Sequence, residues 1–190
     1  MNGNQNPRIV GAHGGYRKLQ SFQTAEIIYD GTIVFCRKCL DSKSRTIDQM
    51  IQAARSGKQN IAEGSRAAGT SQSTEIKLTS VARSSLEELL LDYEDFLRQN
   101  NFSLWQKEHP KAEYIRNLAA TENRSYDTYR VFIEEKSPET AANTIICLIH
   151  QANFLLDRQI RAEEAQFAAD GGFSERLYEA RSAAKRRPGS

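Results

Sequence analysis

The chain reads as an all-α protein: an antiparallel up-and-down four-helix bundle with a helical insert between the third and fourth helices and a short C-terminal helix. Three observations predict this. Leu78, Ala82, Leu86, Leu89, Tyr93 and Phe96 advance by three or four throughout, which is one face of a long helix. No stretch alternates with period two for long enough to build a sheet. A short polar run, Gly69 to Ser73, separates this helix from the one before it, and helices joined by so short a link pack antiparallel.

The elements follow in order. Residues 1–15 are polar and glycine-rich and read as a mobile leader, without the apolar core of a signal peptide. The first helix is expected from about Ser21, with Phe22, Ala25, Tyr29, Ile33, Cys36 and Leu40 as its buried line. Gly31 inside it costs ~1 kcal/mol relative to alanine, so a tertiary contact must offset it. The second helix starts near Arg45 and carries Ile47, Met50, Ile51 and Ala54. Ala54, Gly57, Ile61 and Gly64 then put small residues on one side, where another backbone can approach closely.

The third helix is expected from about Ser73 to Asn100. A second apolar line, Val81, Leu90 and Leu97, makes its buried arc wider than one partner requires, so it is expected to contact more than one neighbour. Residues 103–136 form the insert, with a short helix from about Lys111 to Ala120 and a further one that carries Tyr126, Tyr129 and Ile133 on one side. Ser137 and Pro138 then start the fourth helix, as a capping serine and a proline at the first helical position. Ile145, Ile149, Ala152 and Leu156 continue it until Gly171 and Gly172 end it. Residues 16–170 are thus the bundle with its insert, and 171–190 a helical suffix with a basic tail.

Composition narrows the function. With 190 residues, 39% hydrophobic and 26% charged, the chain supports one helical domain with a substantial core, and no apolar run is long enough to cross a bilayer. The expected location is the cytoplasm. Cys36, Cys39 and Cys147 read as reduced core or boundary thiols. The net charge of +2 conceals an asymmetry: residues 1–45 carry 7 basic and 3 acidic side chains, residues 71–100 carry 3 and 6, and residues 171–190 carry 5 and 2.

No catalytic constellation stands out. The three histidines are far apart in sequence, and neither a phosphate loop nor a nucleophile elbow is present, so no enzyme, cofactor or metal is expected. Glu88, Asp92 and Asp95 share a strip of the third helix, the one arrangement that would suit a divalent cation, and a solvated acidic face is its commoner meaning. Basic residues are better organised. Arg55, Lys58 and Arg66 fall on one side of the second helix, Arg37, Lys38, Lys43 and Arg45 lie around the end of the first, and Arg17 and Lys18 precede it. Arg181, Lys185, Arg186 and Arg187 close the chain. Such groups engage phosphates by charge alone.

Gln59-Asn60-Ile61-Ala62-Glu63-Gly64-Ser65, followed by Glu75 and by Ala82-Arg83-Ser84-Ser85-Leu86-Glu87-Glu88-Leu89, resembles the bacterial four-helix-bundle family of proteins encoded by intervening sequences in 23S ribosomal RNA genes. That family includes the accessory variability determinant of diversity-generating retroelements. The segments that start at Tyr16, Ser44, Leu89 and Gly171 are similar to the subgroup with a four-helix-bundle suffix domain, so the resemblance spans residues 16–187.

The resemblance implies a homo-oligomeric ring, a pentamer in the characterised relatives, with Val81, Leu90 and Leu97 of the wide arc as the expected oligomer interface, a basic surface for RNA or DNA and an association with a reverse transcriptase. The expected function is therefore a non-enzymatic nucleic-acid-binding accessory protein. The alternative is a scaffold that grips a partner protein without nucleic acid.

Overall fold

The computed structural model describes residues 14–170 together with Tyr178 and Ser182. The expected leader up to residue 13 lies outside the described residues, as do Gly171 and Gly172 and the suffix residues Phe173, Leu177, Ala180 and Ala184. Among the described residues, six α-helices are packed together: α1 (Gln20–Cys39), α2 (Thr46–Ala67), α3 (Gln72–Gln99), α4 (Pro110–Asn117), α5 (Tyr126–Arg130) and α6 (Pro138–Asp170). No strand occurs among the described residues. A 3-10 turn, Tyr16–Lys18, precedes α1, and a π-helical turn, Val131–Glu135, follows α5.

Local chemistry sets the ends. The Ser71 hydroxyl accepts the Thr74 N–H at 3.2 Å and opens α3, and the Ser137 hydroxyl accepts the Thr140 N–H at 3.2 Å and opens α6. At the end of α3, Asn101 takes a left-handed φ of 56°, the Phe102 N–H reaches the Leu97 carbonyl at 2.9 Å, and the Asn101 N–H reaches that of Arg98 at 3.3 Å. This is a Schellman closure with asparagine in the usual glycine position. Phe102 packs back on Phe96, with ring centroids 6.1 Å apart, and completes it.

Each long helix lies against two others: α1 against α2 and α6, and α3 against α2 and α6. Glycines on α2 let α3 approach closely. A Cβ at Gly57 would meet Leu86, and one at Gly64 would meet the Glu75 carbonyl and Thr79. Gly31 lies where a Cβ would come 3.1 Å from Ile133 and 3.5 Å from Ile145, so its loss of helix propensity is offset by a close contact with the π-helical turn and α6.

The core corrects the expected face of α1. Ile28, Thr32, Phe35 and Cys36 are buried, whereas Tyr29, Ile33 and Leu40 are only half-buried. Thr32 can face the core because its hydroxyl donates to the Ile28 carbonyl at 2.8 Å and accepts from the Tyr93 hydroxyl at 3.1 Å, which leaves no buried polar group unmatched there. Leu78 on α3 is likewise half-buried, with Thr79 taking the inward position.

Candidate nucleic-acid interface

The basic residues separate into two groups. At one end, the Gly14 N–H donates to the Ser65 carbonyl at 3.0 Å, tying the entry to α1 beside the exit of α2. Tyr16, buried and edge-on to Phe22 at 4.8 Å, presents its ring to two guanidinium groups, Arg17 at 5.1 Å and Arg66 at 5.0 Å. Arg66 Nη2 also donates to the Tyr16 hydroxyl at 3.2 Å. The structure thus gathers two guanidiniums, Arg17 of the entry turn and Arg66 of α2, around one anchored ring, with Lys18 next to Arg17 in the turn.

Arg37, Lys38, Lys43 and Arg45 lie at the α1–α2 turn, about 30 Å away along the 20-residue α1. Within this second group Lys38 is already engaged. Its ammonium donates to the Glu134 carbonyl at 2.6 Å and the Lys136 carbonyl at 3.0 Å, pinning the end of the π-helical turn to α1. These two carbonyls hold its ammonium in place at the surface. Lys58 is half-buried with its ammonium 4.3 Å from the Tyr29 ring, and Arg55 is exposed. Arg181, Lys185, Arg186 and Arg187 lie outside the described residues.

The expected oligomer interface also changes. Leu90 is 6% exposed and Leu97 1%, so both are used within the chain, and only Val81, at 40%, faces outward. The wide arc serves α2 and α6 together. The large apolar side chains that the long helices leave exposed include Leu91 on α3 and Phe154 on α6, neither in the expected set.

Burial raises the Asp92 carboxyl above its ordinary value, and the nearby carboxylates of Asp95 and Glu88 add to the shift. Asp95 pairs with Arg98 at 2.7 Å, and no three metal-ligating side chains come together among the described residues. Burial pushes the Cys36 thiol up to about 12 and the Cys147 thiol up to about 11, which makes both poor nucleophiles.

Two further features are missed by the sequence reading. A cleft of about 830 Å³ between α1 and the insert is lined by Arg17 and Arg124 but also by Glu26, Asp30 and Asp127, a mixture that does not favour a phosphate chain. The second feature is a polar seam between α3 and α6. Arg83 bridges Glu87 on its own helix and Asp157 at 3.2 Å, and Asn153 Nδ2 donates to Glu87 at 3.1 Å. The Arg83–Glu87 spacing of four is a visible signal, but its α6 partners are more than sixty residues away.

The seam continues to Glu163, which accepts from Thr79 at 3.2 Å and Gln159 at 2.9 Å. Burial first, and the Glu163 carboxylate second, push Glu75 up to about 7. A carboxyl raised in the folded state binds its proton more tightly there than in the unfolded chain. Stability therefore falls as pH rises from about 4.5 to about 7, and the cost is fully present above that window. With a discount for the half-exposed position, it amounts to about 1–2 kcal/mol. Glu75→Gln is expected to raise the melting temperature at pH 8 and leave it nearly unchanged at pH 4, measured by thermal denaturation. An equal shift at both pH values would exclude the carboxyl as the cause.

No family model, curated protein or solved structure matches the chain.

Proposed function

We propose that this chain is a non-enzymatic, homo-oligomeric accessory protein of the cytoplasm that holds RNA or DNA by its phosphates, on an antiparallel up-and-down four-helix bundle with a helical insert. The topology is supported by paired residues whose numbers run in opposite directions: Gly57 with Leu86 and Gly64 with Thr79, Ser21 with Gln159 and Gly31 with Ile145, Thr79 with Glu163 and Arg83 with Asp157. The observation that carries the functional reading is the Arg17–Tyr16–Arg66 cluster. The phenol ring holds both guanidiniums in place, and neither forms an ion pair among the described residues. Planar forks held in this way suit phosphate oxygens and lose little freedom on binding.

The test is a binding titration with a short RNA and a short DNA at several salt concentrations, alongside the mass in solution and the 260/280 nm absorbance ratio. Affinity should fall steeply with salt, and Arg17→Glu with Arg66→Glu should reduce the log–log slope by about one for each phosphate that the protein no longer neutralises. A mass near five chains would agree with the ring that the family resemblance implies. Affinity that does not change with salt, or that survives both charge reversals, would overturn the phosphate reading.

The second reading is a protein-binding scaffold, and the outward Leu91 and Phe154, 57% and 61% exposed, favour it. By the resemblance, a reverse transcriptase is the expected partner. A complex that persists after nuclease treatment supports this reading, and one that disappears with the nucleic acid opposes it.

A further inference from the structure

The insert builds a groove that the basic residues of α1 and α2 do not line. It measures about 490 Å³ and is walled by Trp105, Tyr114 and Phe132, with Ile115 and Thr140 at its base and Lys111 and Lys136 beside them. Among the described residues, three aromatic side chains and two lysines line it, and no acidic residue does. Its volume falls in the range of about 300–1,000 Å³ typical of sites for small organic ligands.

Both sides are fixed before any ligand arrives. On one side, the fully buried Asn143 of α6 accepts the Trp105 N–H at 2.7 Å and donates to the Ser103 carbonyl at 2.9 Å, holding an extended strip of chain against the helix. Trp105 is further braced by His109, whose ring stacks parallel to it at 5.1 Å, and the Lys111 ammonium lies 5.5 Å from the indole centroid. On the other side, Phe132 belongs to the π-helical turn whose end is tied down by Lys38. Phe132 and Tyr114 meet at 5.8 Å with their planes 58° apart, leaving an angled wall rather than a closed stack. A π-turn is a costly local geometry that recurs at functional sites. Here it delivers an aromatic ring to a groove already furnished with two others.

A ligand that uses every part of this lining is a flat ring system with a negative charge attached. The ring stacks among the aromatics and exchanges water for π-faces, and the anion faces the two ammonium groups. We propose that the groove binds a single unpaired nucleotide, its base among Trp105, Tyr114 and Phe132 and its phosphate toward Lys111 and Lys136. The same chemistry has two sources, a free mononucleotide or one base of a single strand. The strand form rests on the nucleic-acid reading above and would give the protein a contact that prefers unpaired bases to duplex.

Trp105 is the single tryptophan of the chain, so its fluorescence reports on the groove alone. The experiment titrates the full chain with uridine monophosphate, with a single-stranded oligouridylate and with a duplex of the same length. Tyr114→Ala and the double variant Lys111→Glu with Lys136→Glu are titrated in parallel. Tyr114 is 56% exposed, so its removal should leave the helices intact, as circular dichroism will verify.

The expected result is saturable quenching by the mononucleotide, the single strand or both, weakened about tenfold in Tyr114→Ala, and little quenching by the duplex. Quenching by the mononucleotide alone assigns a free-nucleotide site, and it stands even if strand binding fails. Salt-dependent strand binding with no saturable change at Trp105, or with the same affinity in Tyr114→Ala, overturns the groove and leaves the phosphate reading intact. No saturable quenching by any of the three overturns it outright.

Discussion

A Gly57→Val variant is expected to melt about 6–12 °C below the parent, the result of about 3 kcal/mol of overpacking in a chain of this size. The cause is visible at the α2–α3 contact. A Cβ on Gly57 would lie 2.7 Å from Leu86 Cδ2 and 2.8 Å from its Cγ, and Leu86 is fully buried. The tip of a leucine can turn about χ2 alone, but its Cγ moves only by a change of χ1, which at a close-packed helix contact drives the whole side chain into its neighbours. A few tenths of a kcal/mol gained in helix propensity over glycine do not compensate.

The same geometry predicts a rescue. Leu86→Ala alone should cost about 2–5 kcal/mol through the cavity it leaves, and valine at position 57 would project into that cavity. The double variant should therefore be more stable than the sum of the two losses predicts by at least about 1 kcal/mol, measured by denaturant titration of all four proteins. Losses that simply add would show that position 57 acts through the helix alone and that the close approach of α2 and α3 is not what its glycine permits.

This contact also shows why much of the fold is legible in the sequence. Long helices advertise themselves through repetition, and Ala54, Gly57, Ile61 and Gly64 read as a close-packing side because small residues at helical spacing have few other uses. Thr32 cannot be placed that way, since its burial depends on the Tyr93 hydroxyl from a helix sixty-one residues away. Leu90 and Leu97 suggest an interface, wrongly, for a related reason. An apolar arc states that something covers it, but whether the cover is α6 or a second copy of the chain is decided by tertiary structure.

The basic surface is legible as a composition and not as a site. Spacing along α2 identifies a face, but the pairing of Arg66 with Arg17 across Tyr16 needs the entry to α1 folded back on the exit of α2. The insert is the least legible part. Trp105, Tyr114 and Phe132 converge from an extended strip, a short helix and a π-helical turn, and no helical or strand periodicity links them.

Asn143 connects that insert to the long helices, and Asn143→Ala is expected to cost about 3 kcal/mol. The side chain makes three hydrogen bonds in a fully buried position: to the Trp105 N–H, the Ser103 carbonyl and, at 2.9 Å, the Glu139 carbonyl. At about 1 kcal/mol each, with two backbone groups of the strip left unmatched if it stays in place, the balance favours lifting residues 103–105 into water. The melting temperature should fall by about 6–12 °C, and the lone tryptophan should report the change locally through red-shifted emission and faster exchange of its backbone amide. If the strip is held instead by the stacking of Trp105 on His109 and by Phe102 on Phe96, emission and amide protection will survive the substitution and only global stability will fall. The two outcomes separate a groove held open by one buried amide from one held by its own aromatic rings. In the first case Asn143→Ala should also weaken nucleotide quenching, although Asn143 touches no part of the proposed ligand, because a stacking platform that must first be ordered binds less tightly than one already in place.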